Sequence, residues 1–336
     1  MEWIREGEVP LPRTPRASDS LRAWRPWVLE EADGTLRMWY TGDDGTTSRI
    51  LTAVRPPGGT WNRLGIAIDA GFAGDSDSYG AESPCVIKTP AGYLMVYGGF
   101  DGDVGRLHMA TSDDSHRWTA QGTIMQRGPE DAGGANHPCL LMTGERWWLF
   151  YTGYPGSSGG QRSALVAAVS QSGASWDRVG TVLEPEQGEV AVSHPCALEI
   201  SRTIYMVYAS DVGGSIRIAM ATSSDGVSWD RRGTVLEPTG HGPDGSSVHT
   251  PCVVRLHDGS VGMWYAGTPI GDDELGYRIC FARFPGPWAT SRSTRCRCAT
   301  SPRRLDRRAS PPARRPTTRR AQSRSSTKSR PPEHRG

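Results

Sequence analysis

The sequence predicts an all-β protein, a five-bladed β-propeller, and two observations carry this prediction. A proline followed by a β-rich stretch recurs at Pro26, Pro84, Pro138, Pro195 and Pro251, with intervals of 58, 54, 57 and 56 residues. Each of these five copies contains short apolar runs separated by Gly, Asp and Ser turns, without the period of a helix. Four strands in each of five copies form the pattern of a propeller, and the missing helical period excludes a helical solenoid.

Each of the four strands of a copy has its own recurring residue. The first strand begins near the proline, which precedes a cysteine at Cys85, Cys139, Cys196 and Cys252. The second strand carries a tyrosine at Tyr40, Tyr97, Tyr151, Tyr208 and Tyr265. The third strand opens with an arginine at Arg49, Arg106, Arg162, Arg217 and Arg278. A tryptophan precedes the fourth strand at Trp61, Trp118, Trp176 and Trp229. Residues repeated in every copy are expected to serve the fold, the cysteines as small buried side chains.

The fifth copy lacks a fourth strand after Arg278–Ala282, and the N-terminus supplies a matching sequence. Residues 3–11, Trp-Ile-Arg-Glu-Gly-Glu-Val-Pro-Leu, resemble residues 176–183 and 229–236, which both contain Trp-x-Arg-x-Gly-x-Val. We therefore expect the N-terminal strand to complete the last blade and to close the ring, which removes its open edges.

Charge and composition divide the chain into two parts, residues 1–284 and residues 285–336. The second part holds 15 Lys and Arg against two acidic residues, and the first part holds 23 against 34, so the net charges are +13 and −11. The basic part is rich in Arg, Pro and Ser and has few apolar residues, so it is predicted to be a disordered tail. It has no aromatic residue after Trp288, and a nucleic-acid partner is not expected.

The predictions of cellular location and of cofactors rest on sequence features that are missing, namely membrane spans, signal peptides and cysteine motifs. No apolar run approaches the length of a membrane span, and the first residues are charged, so we expect a cytoplasmic protein without a membrane partner. The seven cysteines form neither a disulfide framework nor a zinc ribbon. No cofactor is expected on these grounds.

The strongest functional signal is the place where the repeat is broken. The two residues before each proline differ from copy to copy: Trp24-Arg25, Glu82-Ser83, Asn136-His137, Ser193-His194 and His249-Thr250. If the innermost strands begin at the mouth of the axial channel, these side chains converge on one small area. A Glu, an Arg and three His gathered there are costly to bury without a polar ligand, so the mouth is the predicted site.

Three sequence features resemble the five-bladed propeller glycosidases: Glu82-Ser83-Pro84-Cys85-Val86, the Tyr-Gly or Tyr-Thr-Gly strand ends, and residues 221–229. This group of glycosidases includes the arabinanase and xylosidase type, the invertase type and the mannoside phosphorylase type. The resemblance covers residues 1 to about 284, and it implies carboxylates at the starts of innermost strands. It implies Glu82 as the general acid. Arg25 stands where those families place a first-blade Asp, which is a departure from their pattern.

The second catalytic group stays open among several candidates. Asp77, Asp131 and Asp244 each lie seven residues before a repeat proline, but pairing with arginine is the more ordinary role of such acids. The predicted catalytic residues are Glu82, Asp77, Arg25, His137, His194 and His249. The predicted substrate-binding residues are Trp24, Tyr79, Asn136, Asp101, Tyr154 and Asp211.

The first functional prediction is a glycoside-processing enzyme, a hydrolase or a phosphorylase, that takes a small carbohydrate or glycoside. Glu82 would act as an acid whose pKa is raised by its enclosed surroundings, and Arg25 with the histidines would hold phosphate if no second carboxylate is in place. A metal-dependent lyase, isomerase or cyclase is the alternative, with a divalent metal on His137, His194 and His249. A non-catalytic carbohydrate-binding propeller is the third possibility.

Overall fold

The computed structural model describes residues 2–11, 17–156, 162–271 and 276–286. Within them the chain is all-β, with twenty strands and two short 3-10 turns at Pro129–Asp131 and Gly242–Asp244. No helix in these ranges is long and apolar enough to cross a membrane. The last strand ends at Phe284, and the predicted tail lies outside the described residues from position 287 onward.

The strands form three separate antiparallel sheets of four strands and one sheet of eight strands, in which a parallel contact of Ser48 with Gly80 joins two further groups of four. Each group of four corresponds to one copy of the sequence repeat and is called a unit below. The first unit contains β2 (Arg22–Glu30), β3 (Leu36–Asp43), β4 (Ser48–Arg55) and β5 (Asn62–Ile68). The second contains β6 (Gly80–Thr89), β7 (Gly92–Phe100), β8 (Gly105–Ser112) and β9 (Thr119–Thr123). The third contains β10 (Gly134–Thr143), β11 (Arg146–Tyr154), β12 (Ala164–Ser170) and β13 (Asp177–Leu183). The fourth contains β14 (Ala191–Ile200), β15 (Thr203–Asp211), β16 (Ile216–Ser223) and β17 (Asp230–Leu236).

The fifth unit takes its fourth strand from the N-terminus, as its sequence predicts. It contains β18 (Ser247–Arg255), β19 (Val261–Thr268), β20 (Arg278–Phe284) and β1 (Ile4–Glu8). β1 runs antiparallel to β20, with Ile4 opposite Arg283 and Glu8 opposite Cys280, and a register shift follows Arg5. The backbone of β20 therefore pairs with a segment more than 270 residues away in sequence, which shields an otherwise open strand edge.

The first strands of the five units contact one another in succession, β2 with β6, β6 with β10, β10 with β14, β14 with β18, and β18 with β2. Buried cysteines link four of these steps, because each sulfur accepts a hydrogen bond from a backbone N–H of the neighbouring unit. The pairs are Leu140 to Cys85, Ala197 to Cys139, Val253 to Cys196 and Val28 to Cys252, with N to Sγ distances of 3.0 to 3.3 Å. The first unit has Trp27 in place of the cysteine, and its indole N–H donates to the Val86 carbonyl at 2.7 Å.

A second repeated feature is a carboxylate close to the second strand of each unit, buried in four units and half-buried at Glu189. Four of the five accept a hydrogen bond from the strand tyrosine, as the pairs Tyr40–Asp19, Tyr97–Asp77, Tyr151–Asp131 and Tyr265–Asp244. Four of the five pair with an arginine of the fourth strand, as Arg63–Asp19, Arg178–Asp131, Arg231–Glu189 and Arg5–Asp244, at 2.7 to 2.9 Å. These acids therefore hold the fourth strand onto the second, which is the ordinary role expected from their repetition.

The second unit departs from this arrangement at two positions that compensate each other. Ala120 of β9 occupies the register position of the arginines, opposite Ala110. His108 of β8 faces Tyr97, where the other units have Leu, Val, Ala or Cys. Its Nδ1 lies 3.8 Å from the Asp77 carboxylate, and its ring stacks on Tyr97 at 5.2 Å. His108 thus takes the place beside Asp77 that an arginine fills elsewhere.

We expect His108→Leu to lower the free energy of unfolding by about 1–3 kcal/mol, because a buried carboxylate loses a polar neighbour. Adding Ala120→Arg to that variant supplies the arginine found in the other units and restores most of the loss. Urea unfolding of the two variants and of Ala120→Arg alone measures this. A double variant no more stable than His108→Leu would contradict the compensation.

Candidate functional site

The residues before the repeat prolines lie at the starts of the five first strands, where each strand departs from regular pairing. The register shifts between the residue two before the proline and the residue after it, at Trp24/Trp27, Glu82/Cys85, Asn136/Cys139, Ser193/Cys196 and His249/Cys252. Each strand therefore carries a bulge at the same place, and bulges re-aim side chains near functional sites.

The residue directly before each proline adopts a left-handed backbone, which is unusual for residues other than glycine. The φ angles are 52° to 55° at Arg25, Ser83, His137, His194 and Thr250. Such a conformation costs of order 1–3 kcal/mol per residue and persists only where the surrounding fold imposes it. These five residues, with their prolines and Trp27, line a cavity of about 30 Å³. The strain is thus concentrated on one small polar ring.

Glu82 and Arg25 meet at this ring as an ion pair. Arg25 Nη1 lies 2.5 Å from Glu82 Oε1, and both side chains are 18% exposed. Asn136 donates from Nδ2 to the same oxygen at 2.5 Å, while its Oδ1 accepts from the His137 backbone N–H. Three residues predicted for the site, from three different units, are therefore joined by one ion pair and one hydrogen bond to the same oxygen.

The pairing reverses the pKa predicted for Glu82. Burial by itself would raise the pKa, but the charge of Arg25, hydrogen bonds from Arg25 and Asn136, and the charge of Arg22 outweigh it, so the pKa is lowered. The prediction of a raised pKa was therefore wrong for this state of the molecule. The sequence did not show the reason, because nothing in it states that Arg25 reaches Glu82, 57 residues away. The lowered pKa favours the ionised form of Glu82, which is not a proton donor.

The three histidines form a row beside the ion pair. The rings of His137 and His194 are stacked with centroids 3.5 Å apart, and His249 lies 5.9 Å from His194. Burial is the main cause of their lowered pKa values, with the charge of Arg25 contributing, and it brings the pKa of His249 to about 3. All three imidazoles are therefore neutral near pH 7 and act as hydrogen-bonding groups rather than cations.

Stacking does not suit the metal alternative. A ring nitrogen binds a metal with a lone pair in the plane of the ring, so two rings stacked 30° from parallel direct their lone pairs side by side. Across the described ranges, no three His, Cys, Asp or Glu side chains are grouped as a metal site requires. The geometry thus does not favour a divalent ion on His137, His194 and His249.

Aromatic residues line one side of the row. Trp24 is buried and lies 5.9 Å from Tyr277, which in turn packs against His249 at 4.9 Å. Arg22 and Arg25 lie over the Trp24 ring at 5.1 and 5.6 Å. Tyr154 is close enough to the Arg25–Glu82 pair to feel both charges, and burial is the main cause that raises its pKa to about 12. Sequence reasoning missed Tyr277, although an aromatic residue directly before Arg278 also breaks the repeat.

Other predicted site residues lie apart from this ring. Asp77 belongs to the buried network with Tyr97 and His108. Tyr79 and Asp101 line a separate open cleft of about 680 Å³, where Asp101 pairs with Arg106 and Tyr79 is 67% exposed.

Asp211 accepts the Gly213 N–H in a turn at the end of β15. The structure therefore gathers Arg25, Glu82, Asn136, His137, His194, His249, Trp24 and Tyr154, and places Asp77, Tyr79, Asp101 and Asp211 elsewhere. Two further loop acids, Asp272 and Asp273, lie outside the described residues. Catalytic and binding roles for all of these residues stay predictions.

Comparison with known protein sequences identifies distant relatives of this chain. No family model matches the chain. Two curated sequences, both uncharacterised proteins from strains of Mycobacterium tuberculosis, are 26% identical to it over 49% of this chain and 65% of their own length. The chain thus spans slightly less than two thirds of these relatives, and they carry no stated activity.

Solved structures resemble the chain over most of its length. A protein solved as a complex with RGII has a TM-score of 0.71 at 17% identity, with 85% of this chain and 93% of that protein covered. A thermostable family-43 glycoside hydrolase gives 0.65 at 16% identity, with 81% and 92% covered. A member of the GH130 family of mannoside phosphorylases, described as containing hydrolases of β-1,2 mannosidic linkages, gives 0.64 at 16% identity, with 84% and 94% covered. The chain therefore has the all-β fold of the glycoside hydrolase and mannoside phosphorylase propellers.

Proposed function

We propose that the five units are the blades of a five-bladed propeller closed by β1, and that its axial mouth processes glycosides. The contacts that join the first strands in succession, including β18 with β2, support this arrangement. The likeness to glycoside hydrolases and to a mannoside phosphorylase family supports a carbohydrate or glycoside as the substrate. The predicted cytoplasmic location belongs to the same proposal.

The observation that carries the proposal is the Arg25–Glu82–Asn136 group at the mouth. The Arg25 guanidinium and the Asn136 amide both contact Oε1 of the Glu82 carboxylate, and the three residues come from three units. Three neutral imidazoles lie beside this group. Arg25, His137 and His194 are themselves among the five left-handed residues, so a strained backbone holds this arrangement, as is common where the fold pre-organises a site. Hydrogen-bonding groups of this kind, flanked by Trp24 and Tyr277, suit the hydroxyls and the apolar face of a sugar ring.

Cleavage of a glycosidic bond needs a proton for the leaving oxygen and a group that attacks or activates water on the opposite face. Glu82 is the carboxylate available for the proton. Across the described residues, no other carboxylate is hydrogen-bonded or ion-paired to Arg25, Asn136 or the three histidines. The attacking group is therefore proposed to come with a second substrate rather than from the chain.

Inorganic phosphate fits this requirement and also changes the charge state of Glu82. Phosphate bound by Arg25 takes over the positive charge that lowers the pKa of Glu82, and burial then raises that pKa. As its pKa rises, Glu82 takes up a proton from the solvent, so it becomes a proton donor when the nucleophile is in place. A phosphate oxygen then forms a bond to the anomeric carbon, the glycosidic C–O bond breaks, and the Glu82 proton passes to the leaving oxygen.

The test measures turnover of aryl glycosides and oligosaccharides with and without phosphate. We expect cleavage that depends on phosphate, and a loss of about 10²–10⁴-fold in the Glu82→Gln variant, the range for removing a general acid. Glu145→Gln, an exposed change in the turn after β10, is the control and leaves turnover unchanged.

Three results would count against parts of this proposal. Equal turnover without phosphate would favour hydrolysis over phosphorolysis. Full activity in Glu82→Gln would remove Glu82 as the acid. If the folded protein binds sugar but turns over none of the tested glycosides and oligosaccharides, the non-catalytic carbohydrate-binding function would be favoured.

A further inference from the structure

We propose that the cavity at the mouth binds a small inorganic anion of halide size. The cavity is bounded by the five left-handed residues, their prolines and Trp27. Its polar lining consists of hydrogen-bond donors and hydroxyls that have no partner among the described residues. The cavity shares Arg25, His137 and His194 with the proposed sugar site, but the existence of the anion site does not depend on the proposed glycoside chemistry.

The tautomer of His137 follows from the hydroxyl of Thr152. That oxygen accepts the His194 backbone N–H at 3.0 Å and lies 3.0 Å from His137 Nδ1. Thr152 is fully buried, so its own hydrogen needs an acceptor, and His137 Nδ1 is the acceptor within reach. His137 is neutral and therefore carries its proton on Nε2.

Four donors at this ring lack an acceptor. Within the described part of the chain, no hydrogen-bond partner is present for Arg25 Nε, Ser83 Oγ, His137 Nε2 or Thr250 Oγ1, and each of these atoms is buried. Ser83, His137 and Thr250 are each at least 94% buried. An unsatisfied buried donor costs about 1–3 kcal/mol, so four at one cavity point to an acceptor that occupies it.

The number and type of these groups favour an anion over water. Arg25 Nε and His137 Nε2 are donors only, whereas the Ser83 and Thr250 hydroxyls can donate or accept. A single water can accept from two of the four groups and donate to the two hydroxyls, which leaves the hydrogens of both hydroxyls without an acceptor. A halide accepts from all four groups and brings no hydrogen. Arg25 Nη1 forms an ion pair with Glu82, but neither Nη1 nor Nε has a hydrogen-bond partner among the described residues. The cavity of about 30 Å³ exceeds the space for one water, about 10–15 Å³, but it is too small for a sugar ring.

The anion has a consequence for Glu82 that rests on the proposed function. A negative charge at Arg25 Nε competes with Glu82 for the guanidinium charge and raises the pKa of Glu82 toward the value of a proton donor. Because a general acid loses activity as the pH rises through its pKa, the alkaline limb of the turnover profile is expected to move to higher pH in the presence of halide.

Bromide is the probe for the binding test, which needs no turnover. The midpoint of thermal unfolding is measured against sodium bromide, with sodium gluconate holding the ionic strength constant. We expect a saturable rise with half-saturation in the millimolar range, because a ligand that binds the folded state stabilises it. Crystals grown in bromide should show an anomalous peak between Arg25, Ser83, His137 and Thr250.

Thr250→Val removes one hydroxyl while keeping the branched shape at the left-handed position, and should weaken bromide binding about tenfold or more. Thr52→Val is the matched control, because the Thr52 hydroxyl is also buried without a partner among the described residues but does not line the cavity. Equal effects of bromide and gluconate, half-saturation only at molar bromide, ordered water in place of the anomalous peak, or an unchanged affinity in Thr250→Val would each overturn the proposal. If the native protein binds bromide but shows no glycoside turnover, the result would count against the proposed function and leave the anion site unaffected.

Discussion

Replacing Trp27 with alanine should lower the free energy of unfolding by about 3–5 kcal/mol, the range for deleting a large aromatic side chain from a core. Trp27 packs against all five hydrophobic clusters of the described structure, one for each neighbouring pair of units. Its indole N–H also donates to the Val86 carbonyl at 2.7 Å. The variant therefore weakens contacts in every unit at once, and equilibrium urea unfolding measures the loss.

Two further variants separate packing from hydrogen bonding at Trp27. Trp27→Phe keeps most of the apolar contact and loses the indole donor, so we expect a cost of about 1 kcal/mol. Trp176→Ala removes a tryptophan that packs against a single cluster, and its cost should be clearly smaller than that of Trp27→Ala. Equal costs for the two alanine variants would contradict a central role for Trp27.

Replacing Arg25 with glutamine should raise the pKa of Glu82 above the ordinary value of a glutamate. The charge of Arg25 is the largest cause that lowers this pKa. When the guanidinium is removed, burial becomes the dominant influence and raises the pKa of Glu82. The buried carboxylate also loses its counter-charge, so the folded state should be destabilised by about 3 kcal/mol at pH 7. Titration of the Glu82 carboxyl carbon by NMR measures the pKa directly.

The pH dependence of stability gives an independent check with a definite sign. In the native protein the lowered pKa stabilises the fold above the ordinary glutamate pKa of about 4.3, and this contribution is lost as the pH falls through the lowered value. In Arg25→Gln the pKa of Glu82 is higher in the folded state than in the unfolded state. The free energy of unfolding of this variant therefore decreases as the pH rises from the ordinary glutamate pKa through the raised value. The difference between the two proteins should therefore be largest near pH 7 and shrink below about pH 4.

The control for Arg25→Gln is an exposed arginine with an acidic neighbour. Arg232 lies 3.4 Å from Asp230, with side chains 50% and 81% exposed. Surface pairs of this kind contribute about 0–1 kcal/mol, so Arg232→Gln should change neither the Glu82 pKa nor the acid limb of stability. An unchanged Glu82 pKa in Arg25→Gln would show that the ion pair does not set the charge of the site.

Much of the fold could be predicted because its contacts are local and repeated. Hairpin pairing within each unit follows from alternation and turn residues, and the match between residues 3–11 and the Trp-x-Arg strands placed β1 beside β20. The repetition of Asp19, Asp131 and Asp244 also indicated a structural role, and the structure pairs each with an arginine. The departure in the second unit was less visible, because Ala120 and His108 compensate each other only in the folded register.

The sequence by itself determined the all-β repeat, the strand supplied by the N-terminus and the positions where the repeat is broken. The tertiary structure decided which of those positions meet: Arg25 pairs with Glu82, Asn136 shares the same oxygen, and Tyr277 joins the histidines. It also separated Tyr79 and Asp101 into another cleft. The physical reason is that strand pairing depends on residue periodicity along the chain. Contacts at the mouth depend instead on bulges and left-handed residues in strands more than 50 residues apart, and the sequence pattern contains no signal for their geometry.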